Sequence, residues 1–159
     1  MATLLPISIP CTVIDANALI ALCAKEPGRY LLVQAEIITS AQNGGLFYAP
    51  NIIVGETLYA LRRKLTDNAL TAAEYLQAVQ SLSIRMAAIL PPPNGEASLI
   101  RRASQICDGY GASRSADAIY IALAEELSQT YTARLLTFDQ DLPKQAARNA
   151  PTVTVHLLQ

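Results

Sequence analysis

Tryptophan is absent, and histidine occurs once, at His156. A single imidazole so late in the chain leaves no Ser-His-Asp or Cys-His arrangement to build, so catalysis relayed through histidine is set aside. His156 falls in a strand pattern and is expected to be a half-exposed structural residue. The three cysteines, Cys11, Cys23 and Cys107, are far apart and odd in number, with no CxxC pair. That excludes a disulfide framework and a zinc cluster, and points to buried thiols in a reducing cytoplasm. No GxGxxG and no P-loop is present to cradle a nucleotide. No apolar run approaches the ~20 residues needed to span a bilayer, so no membrane association is expected. The opening stretch MATLLPISIP lacks a basic n-region and is interrupted by Pro6 and Pro10. Residues 1–10 therefore read as an extended lead into the first strand, not as a signal peptide. Positive charge is not in excess either: the net charge is −1. Proteins that coat or clamp DNA by charge alone are usually basic, whereas a carboxylate site for a metal lowers net charge by itself.

What is present is apolar. Hydrophobic residues make up 52% of the chain and charged residues 16%, which is ample for a core and argues against disorder. At 159 residues, with no repeat, low-complexity segment or linker, the chain is expected to form one domain over residues 1–159.

Strand and helix patterns alternate along it. Thr12-Val13-Ile14 is a β-branched run that stops at Asp15, and Asn17 to Ala24 reads as a short helix. Arg29 to Gln42 is amphipathic, with Leu31, Leu32, Ala35, Ile38 and Ala41 at helical spacing. Leu31, Leu32 and Ile38 are expected in the core, with a dimer or partner surface as the other use for them. Leu46 to Ala49 is a strand, and Asn51 is the expected cap of the helix carrying Glu56. Thr71-Ala72-Ala73-Glu74 has capping-box spacing and opens a helix expected to end near Leu82. Ile84 to Ile89 reads as a strand before Pro91-Pro92-Pro93. A helix from Glu96 to Asp108 places Leu99, Ile100, Ala103, Ile106 and Cys107 on one face, and Gly109 to Ser113 is a loop. Ser115 is the expected cap of the very apolar helix Ala116 to Ser128. Arg134 to Phe138 is a strand, Pro143 stands near the start of a short helix, and Thr152 to Val155 is a last strand. Such alternation implies an α/β fold: a parallel sheet with helices on both faces.

Four acids fall at element ends that this sheet would bring together. Asp15 and Asp139 each end a strand, and the bland alternative for both is helix capping or turn formation. Asp141 could itself cap the helix that follows, which leaves Asp139 less needed there. Glu56 interrupts the apolar sequence Ile52-Ile53-Val54-Gly55-Glu56-Thr57-Leu58, where a charge is costly unless paired. Asp117 opens the most apolar helix, where the helix dipole alone would favour it. Four carboxylates close together cannot all stay ionised without a cation, and oxygen-rich sites suit Mg²⁺ or Mn²⁺. The chemistry expected of such a site is metal-dependent hydrolysis of a phosphodiester.

The chain resembles the PIN-domain ribonucleases, and within them the VapC-like toxins of toxin–antitoxin pairs. The resemblance lies in Val13-Ile14-Asp15-Ala16-Asn17, in the Glu56 helix, in Ser115-Ala116-Asp117-Ala118-Ile119-Tyr120-Ile121-Ala122-Leu123-Ala124, and in Leu135-Leu136-Thr137-Phe138-Asp139-Gln140-Asp141-Leu142. It implies a three-layer α/β/α sandwich around a central parallel sheet. It assigns the four metal-binding acids to Asp15, Glu56, Asp117 and Asp139, with Asn17, Thr137 and Asp141 in support. It further implies an RNA substrate, a homodimer, and an antitoxin partner that silences the site. Arg62, Arg63 and Arg114 are candidate RNA-phosphate contacts, solvated helix faces being the bland alternative. The competing readings are a non-catalytic PIN-like binding module and a metal-dependent phosphatase or DNA nuclease on a related sheet.

Overall fold

The computed structural model describes residues 8–110 and 115–159. Four strands, β1 (Pro10–Ile14), β2 (Leu46–Tyr48), β3 (Thr132–Thr137) and β4 (Thr154–Leu157), form one sheet in the order β2-β1-β3-β4. Every pairing is parallel. Parallel neighbours cannot be joined by tight hairpins, so helices carry the chain across. These are α1 (Ala16–Cys23), α2 (Tyr30–Gln42), α3 (Ile52–Thr66), α4 (Ala72–Met86), α5 (Ala97–Tyr110), α6 (Ser115–Ser128) and α7 (Leu142–Asn149). They flank the sheet to give the three-layer α/β/α sandwich. Cys11, Val13 and Ile14 of β1 and Leu135 and Leu136 of β3 are buried, as strands covered on both faces require. They join Leu19, Leu22, Ile53, Leu61 and the buried residues of α6 in one continuous core.

Register sets the site. Ile14 pairs with Leu136, and the Asp15 amide donates to the Leu136 carbonyl at 3.1 Å. Asp15 and Thr137 therefore stand level at the carboxyl end of the two central strands, where ligands bind in open α/β sheets.

Several local expectations are corrected. Ile84 to Ile89 is not a strand: α4 runs past Leu82 to Met86, and only Leu90 reaches the sheet, as an isolated bridge to Tyr48. So short and mostly apolar a run fits either period, but Thr71 and Glu74 close a full capping box, and Ala78 and Leu82 bury one face of a helix already running. The apolar set on α2 faces outward. Leu31 is 69% exposed and Ile38 50%, while Val33 and Ser40 are the buried residues. Ile100 is likewise exposed on α5, although Leu99, Ala103 and Ile106 are buried as expected. Asn51 makes no side-chain cap; its own amide donates to Glu96 Oε1 at 2.6 Å. Ser115 already belongs to α6, and the expected loop after Gly109 is helical through Tyr110, with 111–113 outside the described residues. β4 lies two residues later than the alternation suggests.

Cys11 and Cys23 are buried free thiols and Cys107 is half-buried, and burial pushes the Cys11 thiol up to about 12. His156 is a half-exposed strand residue whose Nδ1 lies 2.9 Å from Arg134. Among the described residues no helix is long and apolar enough to cross a membrane.

Candidate acidic site at the carboxyl end of the sheet

Asp15 follows β1 directly and is 6% exposed. Its Oδ1 accepts the Ala16 amide at 2.7 Å, so it does cap α1. Capping uses only one oxygen. The other, Oδ2, accepts from the Thr137 hydroxyl at 2.6 Å and from Asn17 Nδ2 at 2.8 Å. Burial pushes the Asp15 carboxyl up to about 7. The Thr137 and Ala16 hydrogen bonds work against this rise, and the charges of Asp117 and Glu56 add to it.

Thr137, fully buried at the end of β3, connects both strand-end acids. Besides donating to Asp15, its hydroxyl accepts from Asn17 Nδ2 at 3.1 Å and from the Asp139 amide at 2.9 Å. Asn17 also accepts the Phe138 amide at 3.0 Å, which fixes the loop leaving β3. Asp139 Oδ1 accepts the Asp141 amide at 2.8 Å. Asp139 therefore shapes the turn into α7. Asp141, expected as the cap, makes no side-chain cap bond; it is exposed and pairs with Lys144 at 2.9 Å. A carboxylate two residues ahead reaches the same amide in the geometry of an Asx-turn.

The remaining acids come from helices. Asp117, in the first turn of α6, accepts from Gln145 Nε2 of α7 at 3.2 Å. Glu56 of α3 is half-buried, and its Oε2 accepts from the Tyr120 hydroxyl of α6 at 2.8 Å. Tyr120 and Gln145 are functional-site neighbours that the sequence reading missed. Tyr120 lies three residues beyond Asp117 on the same side of α6, a spacing that could have drawn notice. Gln145 is 3% exposed on a short helix, and nothing in its local pattern marks it.

Asp15 thus feels the charges of Glu56 and Asp117, and Thr137 joins Asp139 to Asp15 through the Asp139 amide. They are not drawn into a coordination sphere: among the described residues, no three Asp, Glu, His or Cys side chains stand close enough to hold an ion. The side-chain and backbone donors given above for these acids, among the described residues, are neutral. The donor set, carboxylate oxygens backed by hydroxyl and amide groups, is nonetheless the one a hard divalent cation takes.

Of the basic residues singled out, Arg62 and Arg63 are exposed on α3, and Arg63 pairs with Asp67 at 3.5 Å. Arg114 lies outside the described residues. Arg102 is engaged structurally, reaching Glu125 at 2.6 and 3.2 Å and the Asn149 carbonyl at 2.5 Å.

No curated protein sequence matches the chain. Among solved structures, it is similar to a chain of VapBC2 from Rickettsia felis, determined bound to a DNA fragment from their promoter. That likeness has a TM-score of 0.64 at 13% identity, over 94% of this chain and 99% of the other. It is also similar to PAE2754 from Pyrobaculum aerophilum, with a TM-score of 0.52 at 16% identity, over 91% of this chain and 82% of the other. At these identities the likeness is one of fold. The PIN domain family model matches residues 12–148, which takes in the last three residues of β1, all four acids and most of α7, and the chain belongs to the PIN-domain family.

Proposed function

We propose that this chain is an endoribonuclease that hydrolyses RNA phosphodiesters with Mg²⁺ or Mn²⁺, and that it serves in the cytoplasm as the toxin of a toxin–antitoxin pair. PIN domains are generally nucleases. The observation that carries the reading is Asp15: a buried carboxylate facing the charges of Asp117 and Glu56, with no cationic side chain paired to it among the described residues. Such a group gains from a cation brought in from outside. Asp15, Asp117 and Asp139 are the residues assigned to hold it, with Glu56 as a further ligand or as the base that orients water. A bound divalent ion supplies positive charge to the phosphate oxygens and lowers the pKa of a water.

The chain's own side chains do the rest in this reading. Asn17 and Thr137 aim Oδ2 of Asp15, Gln145 orients Asp117, and Tyr120 holds Glu56. The antitoxin is assigned to protein contact rather than to the site alone. Support comes from the outward apolar face of α2 and from the likeness to a chain of the VapBC2 complex. A homodimer is proposed on the same ground of exposed apolar surface.

The test is cleavage of a single-stranded RNA with Mg²⁺ or Mn²⁺, with EDTA, and by Asp15→Asn. Loss of cleavage in the last two supports the reading; undiminished cleavage by Asp15→Asn would sink it. Single-stranded DNA and a phosphomonoester run in parallel separate a DNA nuclease or phosphatase from a ribonuclease. A second reading, a PIN-like module that binds without cleaving, is favoured by the lack of a closed ligand set among the described residues. A calorimetric Mn²⁺ titration with no binding would decide for it.

A further inference from the structure

Arg29 and Lys64 lie outside every role assigned above. Arg29 stands in the connection between α1 and α2, and its guanidinium carbon sits 4.8 Å from the centre of the Phe138 ring. Phe138 is the residue between Thr137 and Asp139, and its amide is held by Asn17. Arg29 is thus the cation stacked on the strand-end loop that carries the fourth acid.

Its engagement is loose. The Arg29 side chain is 53% exposed, it lies 3.6 Å from Glu26, and its guanidinium makes no hydrogen bond among the described residues. Glu26 is held more firmly by Lys64 of α3, at 2.7 Å. One carboxylate therefore gathers two cations, from two elements, and leaves a local excess of one positive charge. Other arginines are committed elsewhere: Arg102 to Glu125, Arg134 to Glu36 at 2.9 Å, and Arg63 to Asp67. A guanidinium held over an aromatic face is attracted by the ring, and a half-exposed one keeps part of its planar fork of N–H donors open to solvent. That fork matches the bidentate geometry of a phosphate.

We propose that Arg29, stacked on Phe138 and tethered with Lys64 through Glu26, is a phosphate-binding rim that receives the backbone of single-stranded RNA beside the acidic site. The proposal rests on the ribonuclease reading above. It gives a mildly acidic chain a local cation where a polyanion must approach carboxylates. It also moves the contact expected of Arg62 and Arg63 to their neighbour Lys64, whose side chain is the one turned toward the α1–α2 connection.

The experiment measures cleavage of a single-stranded RNA, and binding of the same RNA across a salt series, for wild type, Arg29→Ala, Arg29→Lys, Glu26→Gln and Arg148→Ala. Arg148→Ala removes one exposed arginine near the end of α7 and is the charge-matched control. Arg29→Ala is expected to weaken binding about tenfold, raise KM more than it lowers kcat, and reduce the slope of log K against log salt by about 0.7. Arg29→Lys keeps the slope and loses part of the affinity, because the charge stays and the fork goes. Glu26→Gln is expected to tighten binding, since it frees both cations. Arg29→Ala matching Arg148→Ala in affinity and slope, with wild type still cleaving RNA, overturns the rim alone. Wild type that neither binds nor cleaves RNA overturns the functional reading, and the rim with it.

Discussion

The Tyr120 hydroxyl donates to Glu56 Oε2 at 2.8 Å across 64 residues of sequence, from α6 to α3. Tyr120 is 1% exposed, so its ring is core and only its oxygen reaches the site. Burial raises its ionisation far above the ordinary tyrosine value, and the Glu56 charge raises it further. The hydroxyl is therefore a donor to Glu56 at neutral pH. It is one hold on the Glu56 carboxylate at the edge of the site.

Tyr120→Phe keeps the packing and removes that bond. Hydrogen bonds to charged groups contribute about 1.5–3 kcal/mol, less where water replaces the lost donor, as it can at half-buried Glu56. We expect kcat to fall about tenfold with KM nearly unchanged, because the variant loosens Glu56 without touching the substrate path. Steady-state kinetics at saturating Mg²⁺, with a melting curve beside them, checks this. A wild-type kcat would mean that the bond is structural only.

Thr137 is a second point of convergence, with all of its hydroxyl's capacity in use: one donor to Asp15 and acceptor sites for Asn17 and the Asp139 amide. Thr137→Val preserves shape but leaves those partners unmatched, which costs roughly 1–3 kcal/mol for a buried polar group. Thr137→Ser keeps the oxygen and should lie close to wild type. Urea midpoints in the order wild type, Ser, then Val are expected. Equal midpoints for Val and Ser would show that packing, not the hydroxyl, matters there.

How much of this was readable beforehand depends on range. Asp15, Asn17, Thr137 and Asp139 stand out because polar residues follow apolar runs at strand ends, and a parallel sheet aligns those ends whatever the loops do. Asp117 and Glu56 stand out as charges in apolar helices. Tyr120 and Gln145 do not, since a tyrosine in a buried helix looks like any core aromatic until its partner 64 residues away is placed. The same limit explains Asn51, whose amide is taken by Glu96, 45 residues on. Ile84 to Ile89 failed for a local reason: six mostly apolar residues satisfy a strand and a helix end equally, and only the cap at Thr71 decides.

The outward face of α2 gives a prediction that needs no partner. Leu31 and Ile38 carry helical apolar spacing, yet the buried apolar residue of that helix is Val33. Ile38→Asp in the isolated chain should change unfolding free energy by no more than about 0.5 kcal/mol, as surface substitutions do. Val33→Ala should cost roughly 2 kcal/mol through lost burial. Denaturant unfolding of both variants at low protein concentration decides. A large loss for Ile38→Asp would place that face against a second copy or return it to the core.

Protons and metal should compete at Asp15. Its folded-state pKa is raised from 3.8 to about 7, so the folded chain holds this proton more tightly than the unfolded one. The contribution to stability is complete below the unfolded value and is lost as pH rises through the folded value. Without metal, the chain should therefore be less stable at pH 8 than at pH 5.5, as far as Asp15 decides it. A divalent cation binds the ionised form, so Mg²⁺ should raise the melting temperature more at pH 8 than at pH 5.5. In Asp15→Asn both the fall with pH and most of the Mg²⁺ effect should shrink. Melting curves at the two pH values, with EDTA and with Mg²⁺, give four midpoints for each protein. An Mg²⁺ effect of equal size at both pH values in wild type would place the ion away from Asp15, and the four-acid assignment would lose its central member.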